Sequence, residues 1–310
     1  AVPLPACTEP PPPVYSGFMP QIPLEDNFYD VIAKAQRGWK VSDARLAELA
    51  GITPADLLAV QQGKPLYAVI RRIARHLRLD PEALETLAKK AWYPKQPIFP
   101  RGFAMFNTPY GELTVNSYLI WDSRSRLAAA IDTGTDGTGM MDVIRSEGLT
   151  LRDIFITHTH PDHVAALPAL VAATSGQVWC HEREPALDCP HKTFKENAYF
   201  HLGDEVAIKA LLTNGHSPGL TTFYITGLSW PLACVGDALF ACSSGGSATL
   251  FDQQYRVNRQ KILALPKDTV IAPGHGPLTT LAQERKYNPF YAVGATATHH
   301  YAPTAPADAQ

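Results

Sequence analysis

The stretch FITHTHPDHVAAL, Phe155 to Leu167, holds three histidines and an aspartate within six residues. It starts inside an apolar run, LRDIFI, and ends inside a helical pattern, HVAALPALVAATSG. On an extended strand, side chains two apart point the same way. His158 and His160, at the end of LRDIFITH, therefore aim at a common point, whereas on a helix they would diverge by about 200°. Pro161 stops the strand, and Asp162 and His163 sit on the turn into the next helix, beside the positive end of its dipole. Ligand sites in open α/β sheets lie at these carboxyl ends of strands.

Three later strand ends each add a donor. TNGHSPG sets His216 in a glycine-flanked turn, VGDALF sets Asp237 just after an apolar strand, and IAPGHGP sets His275 in a turn of Pro and Gly. Small residues beside each donor let the backbone approach a buried ion. Taken singly, His216 or His275 reads as a surface or satisfied-core histidine, and Asp237 as a helix cap. Four elements with one grammar, each at a strand end, point to a metal centre. Mixed histidine and carboxylate donors suit zinc, with iron or manganese as alternatives.

The wider chain divides by texture. Residues 1–24 read as a proline-rich arm. Residues 25–92 read as helices throughout, with Leu66, Ile70, Ile73, Ala74 and Leu77 on one face. Thr53-Pro54 and Asp80-Pro81 are helix starts. After a break near Tyr93-Pro94, residues 93–310 alternate short strands (LTVNSYLIW, RLAAAIDTG, GQVWCHE, LTTFYITG, WPLACVGD, DTVIAPGH) with helical patterns such as GTGMMDVIRSEG. That alternation means an α/β layered domain.

Composition narrows the class. The 310 residues carry 27 Lys and Arg against 29 Asp and Glu, a formal net charge of -2. A polyanion-binding footprint would need a basic excess. No apolar run approaches the roughly 18 residues of a membrane span. Five cysteines, Cys7, Cys180, Cys189, Cys234 and Cys242, show no CxxC pair and read as reduced thiols. With no signal-peptide pattern at the start, the expected location is the cytoplasm.

HTHPDH, GHSPG, GD and PGHG, in this order, resemble the metallo-β-lactamase superfamily. IDTG at 131–134 and GPLTTLAQERKYNPF at 276–290 are similar to its glyoxalase II (hydroxyacylglutathione hydrolase)-like group. The resemblance implies an αββα sandwich, preceded here by a small all-α domain. It puts His158, His160 and His216 on one divalent metal and Asp162, His163 and His275 on a second, with Asp237 bridging. Asp132 would orient a ligand or brace the site loop. The implied activity is hydrolysis of a thioester or ester carbonyl by a metal-bridging hydroxide, with Asp162, Asp237 and Asp132 as catalytic residues. A lactonase and a mononuclear-iron persulfide dioxygenase share much of the pattern and remain alternatives.

The expected partner is a small-molecule thioester, ester or lactone. The glyoxalase II-like group carries a basic residue in the loop after its bridging aspartate. Here that loop, Ala238 to Phe251, has none. Lys192, Lys195 and Tyr199 are candidate substituting substrate contacts, though all three also read as solvated loop residues. RLAELAGITPADLLAVQQGKP is similar to the helix-turn-helix of phage-repressor-type regulators. Its groove-facing segment, TPADLLAVQQ, has Asp56 and no Arg or Lys, and specific duplex binding needs several phosphate-neutralising cations. Nucleic acid is therefore disfavoured as a partner. The helices are expected to serve in a homodimer or as cover for the active-site mouth, with DNA binding as the alternative.

Overall fold

The computed structural model describes residues 21–247 and 249–292. Most of the expected proline-rich arm, with Cys7, and the end of the chain lie outside these residues. Five helices come first: α1 (Phe28–Gly38), α2 (Asp43–Ala50), α3 (Pro54–Gln61), α4 (Tyr67–His76) and α5 (Pro81–Ala88). Their starts are set by side chains. Thr53 accepts from the Asp56 amide and Asp80 from the Ala83 amide, each ahead of a first-turn proline. The α4 stripe of Ile70, Ile73 and Ala74, continued by Leu77, is fully buried.

Two six-stranded mixed sheets come next. The first runs in chain order: β1 (Phe103–Tyr110), β2 (Leu113–Trp121), β3 (Leu127–Ile131), β4 (Thr150–Phe155), β5 (Gln177–His181) and β6 (Lys192–Phe194). The second is built from β7 (Tyr199–Leu202), β8 (Val206–Leu212), β9 (Thr221–Thr226), β10 (Leu232–Gly236), β13 (Val270–Pro273) and β14 (Thr279–Thr280), in the order β14-β13-β10-β9-β8-β7. A two-stranded hairpin, β11 (Leu239–Phe240) and β12 (Ser243–Ser244), stands apart. The remaining helices are α6 (Thr138–Ser146), α7 (Pro161–Val164), α8 (Leu167–Thr174), α9 (Phe251–Lys261) and α10 (Leu281–Tyr287).

Strand alternation assigns each face its cover. Tyr118, Ile120, Ala129 and Ile131 of the first sheet meet Ile225, Leu232, Cys234 and Ala272 of the second in an inter-sheet core. Their neighbours Leu119, Trp121, Ala128 and Ala130 face outward, under Met140 and Val143 of α6 and Leu170 of α8. On the other outer face, Ala233, Val235 and Ile271 join one core with Val31 and Ile32 of α1, Phe251 of α9 and Leu281 of α10. The result is the expected αββα sandwich, with the N-terminal helices packed into its second helical layer. Each fully buried Val, Ile or Phe in that shared core contributes about 1.5–3 kcal/mol.

One sequence expectation fails. The apolar run predicts a strand through His158, but β4 ends at Phe155, whose partner Ile131 closes the ladder. The next residue of the neighbouring strand, Asp132, takes φ +56° and turns away. The Thr157 amide then bonds the Asp132 carboxylate instead of a ladder carbonyl, at 2.7 Å. His158 and His160 thus converge from a loop, not a strand.

Candidate metal centre

Four connections at one end of the sandwich, one of them running into α7, bring the candidate donors together. Residues 156–163 succeed β4, His216 lies between β8 and β9, and Asp237 comes directly after β10. His275 comes after β13. The chain must come very close at these points. A Cβ on Gly274 would lie 2.1 Å from Asp237 Oδ1 and 2.7 Å from His163 Cε1. A side chain at this position would displace both candidate donors.

The donor atoms form three overlapping groups: His158, His160 and His216; His158, His163 and Asp237; and Asp162, His163 and His275. His160 Nδ1 lies 3.0 Å from both His158 Nε2 and His216 Nε2. Asp237 Oδ2 is 3.5 Å from the Nε2 atoms of both His216 and His275, and 4.0 Å from that of His158. Its Oδ1 is 3.4 Å from His163 Nε2. Asp162 Oδ2 is 3.2 Å from His275 Nε2 and 3.6 Å from His163 Nε2.

Hydrogen bonds on the far side of each ring decide which nitrogen faces inward. His216 Nδ1 donates to the Gly246 carbonyl and His275 Nδ1 to that of Thr114, both at 2.7 Å. His163 Nδ1 donates to Asp132 Oδ2 at 2.8 Å. The Thr157 hydroxyl donates to the same Asp132 oxygen at 2.7 Å, so toward His158 Nδ1, 3.1 Å away, it acts as acceptor. Four Nε2 atoms are thereby turned to the centre, and Asp132 orients two of those rings, one through Thr157.

Electrostatics separate the groups. Burial, reinforced by His163, holds the His158 pKa well below the usual imidazole range. Burial and His216 lower that of His160. Burial also works against charge on His163 and His275. There the carboxylates win: Asp132 and Asp237 push His163 up to about 10, and Asp162 and Asp237 push His275 up to about 11. Asp237 is buried, yet His163 and His275 outweigh its desolvation and hold it well below the usual carboxylate range.

The arrangement fits divalent cations. Buried His163 Nε2 and Asp237 Oδ1 have no hydrogen-bond partner among the described residues. Buried polar atoms without a partner are costly, and a cation would satisfy both. Zinc bound tetrahedrally at about 2.0–2.1 Å separates its nitrogen ligands by about 3.3 Å, close to the spacing of the three-histidine group.

Sequence reasoning missed several supports. Glu184, three residues past β5, accepts from the Thr159 amide and hydroxyl at 2.9 and 3.0 Å through one oxygen. Its other oxygen accepts from the Ser217 hydroxyl and Gly219 amide at 2.5 and 2.6 Å. It therefore ties the His158–His160 loop to the His216 loop. Fully buried Asn116 donates to the carbonyls of Pro273 and Gly276 and steadies the His275 turn. A carboxylate in the turn HEREP, at a strand end beside the donors, was the available signal for Glu184.

The candidate substrate contacts have partners of their own. Lys192 stands over the Trp179 ring, Lys195 pairs with Glu182, and Tyr199 lies under Lys209. Tyr199 lines a cavity with Lys209, Tyr224 and Lys261 that no donor residue borders. In the helical segment, Gln61 is taken up by Asp43 and Gln36, Arg71 by Glu85, and Arg72 by the Gly51 carbonyl. Arg78 is stacked over Trp39.

A four-layer αββα sandwich with a histidine–aspartate cluster at its loop end defines a metallohydrolase-type protein. The chain belongs to the metallo-beta-lactamase superfamily, whose family model matches residues 110–275, more than half of its length. It is 29% identical over 204 residues to the probable metallo-hydrolase YqgX of Bacillus subtilis, covering 59% of this chain and 94% of that protein. It is 30% identical to hydroxyacylglutathione hydrolase GloC of Haemophilus influenzae, covering 56% and 92%. It is 32% identical to a hydroxyacylglutathione hydrolase of Pseudomonas entomophila, covering 51% of this chain but only 60% of that protein. Among solved structures, BLEG-1, described as a B3 metallo-beta-lactamase, superposes with a TM-score of 0.52 at 29% identity, covering 61% of this chain and 99% of that one. Among the described residues no helix is long and apolar enough to cross a membrane.

Proposed function

We propose that the protein is a dinuclear metal-dependent hydrolase acting on a thioester or ester carbonyl. The observation that carries this reading is Asp237, which stands between the two donor groups: its Oδ2 lies 3.5 Å from the Nε2 atoms of both His216 and His275, and its Oδ1 lies 3.4 Å from that of His163. That is the disposition of a bridging carboxylate. His158, His160 and His216 would hold one cation, and Asp162, His163 and His275 the other. When bound, the pair supplies a water of lowered pKa and a Lewis acid for the carbonyl oxygen. Zinc is the proposed metal, with iron or manganese compatible with the same donors.

The chain's own contribution is orientation. Asp132 fixes His163 directly and His158 through the Thr157 hydroxyl. Asp162 sets a carboxylate oxygen 3.2 Å from His275 Nε2, where the two would share the second cation. The loop from Ala238 to Phe251 offers no cation to a substrate carboxylate. Thioester or ester hydrolysis is therefore supported more strongly than recognition of glutathione in particular.

Metal analysis and a substrate panel test the proposal. Two metals per chain, with turnover of S-lactoylglutathione, an acyl lactone or an aryl ester, are expected. A β-lactam belongs in the panel because of the likeness to BLEG-1. A single iron with oxygen uptake would replace the hydrolase reading with the dioxygenase alternative.

A further inference from the structure

The α1–α5 helices lie outside the 110–275 family match, yet the segment leading into α1 reaches the candidate metal centre. Asp26 is buried. Its Oδ2 accepts from Lys34 Nζ and, at 2.5 Å, from the hydroxyl of Ser243 on β12. Lys34 Nζ also donates to the Ser244 carbonyl at 3.1 Å. Both bonds therefore end on two consecutive residues of one hairpin strand.

The two glycines after β12 connect that strand to the donors. A Cβ on Gly245 would lie 1.8 Å from the Asp237 carbonyl oxygen and 3.4 Å from His216 Nδ1. Backbone here is pressed against two candidate ligands. The next residue, Gly246, supplies the carbonyl that accepts from His216 Nδ1. Lys34 also stands 5.1 Å over the Phe240 ring, which meets the His275 ring edge-on with centroids 5.7 Å apart. Residues 23–25 cross the His275 turn as well, with Pro23 O and Glu25 N within 3.6 Å of the space a Gly276 side chain would occupy.

We propose that Asp26 and Lys34 are positioning residues for the metal centre: they fix the 243–246 backbone and through it aim His216. The N-terminal helical segment is then a working part of the centre, not a separate DNA-reading module. This rests on the metal-site reading above. Misaiming one ligand through its supporting hydrogen bond typically lowers metal affinity 10–100-fold.

The test uses the full chain with Co²⁺ as probe. Stoichiometry, affinity by chelator competition and the visible d–d spectrum are compared for the wild type, Lys34→Met, Asp26→Asn and Ser243→Ala. Ser243→Ala removes the Asp26 bond from the hairpin side and leaves the Asp26–Lys34 pair and the Lys34–Ser244 bond in place. The expected result is two bound Co²⁺ in the wild type and folded variants by circular dichroism. In the variants, affinity at one site falls at least tenfold and its absorption band shifts, while the other site is retained. A smaller loss in all three, an unshifted spectrum, or loss of the fold in all three overturns the assignment. A wild type that binds no Co²⁺ instead overturns the metal-site reading itself.

Discussion

The two halves of the donor cluster are built by different physics. His158, His160 and His216 are anchored by neutral groups, a threonine hydroxyl and a backbone carbonyl, and His160 is exposed. The other half, Asp162, His163 and His275, is buried throughout and adjoins Asp237. There carboxylates and imidazoles hold one another in charged form. The first half keeps its shape through hydrogen bonds from neighbouring loops, and the second through mutual compensation of buried charge. Removing a partner from a buried ionic set leaves an uncompensated charge and costs about 3–5 kcal/mol, while an exposed group costs little.

The largest effect should come from the residue shared by both halves. Asp237→Ala is expected to cut turnover by about 1,000-fold, the order lost with one preorganised charge-stabilising group. Near-normal turnover in that variant would break the picture of two halves joined by one carboxylate. Next, His163→Ala should destabilise the metal-free protein by about 3–5 kcal/mol, because it strands Asp132 and Asp237. His160→Ala should stay within about 1 kcal/mol. Equal losses in urea denaturation would show that the two halves are not physically distinct.

Glu284 supplies a control for what the histidines do to a buried carboxylate. Like Asp237 it is buried, and it accepts bonds from Thr279, Asn288 and the Cys242 amide. These donors are all neutral, and desolvation pushes its pKa up to about 7 from 4.5. The folded chain therefore binds more protons than the unfolded one between about pH 4.5 and 7. This contribution to stability is full below that window and falls as pH rises through it, by at most about 3 kcal/mol. Glu284→Gln should flatten the slope, as read by chemical denaturation across pH 4.5–8. An unchanged slope would mean that Glu284 ionises as easily in the fold as out of it. Glu184→Gln probes the tie between the two loops. It should weaken metal affinity in the three-histidine half by about 10–100-fold and leave the other half unchanged. Equal weakening of both would mean that the halves are not separately supported.

Much of this was legible in the chain. LTVNSYLIW is β2 from end to end, and the caps at Thr53 and Asp80 form as their Pro-bearing starts predict. These features are local, set by side-chain alternation and by which groups satisfy the first amides of a helix. α9 carries no clear apolar stripe, because its buried face includes Gln254 and Asn258, which donate to the carbonyls of Gly245 and Ala238. A hydrophobic pattern cannot reveal a face buried for its hydrogen bonds. Lys192, Lys195 and Tyr199 stand out in the sequence only by their place after the strand QVWCHE, and their partners Trp179, Glu182 and Lys209 emerge only in three dimensions.

The sequence by itself determined the donor types, their order and the layered α/β class, because ligand chemistry and strand periodicity are written over short distances. Tertiary structure alone decided that the β4 strand stops at Phe155, that Glu184 ties two loops, and that Asp26 and Lys34 reach the hairpin beside His216. Each of these depends on a hydrogen bond between residues from about 25 to more than 200 positions apart. Such a bond forms only after the sheets have brought its two ends together, and no local pattern encodes it.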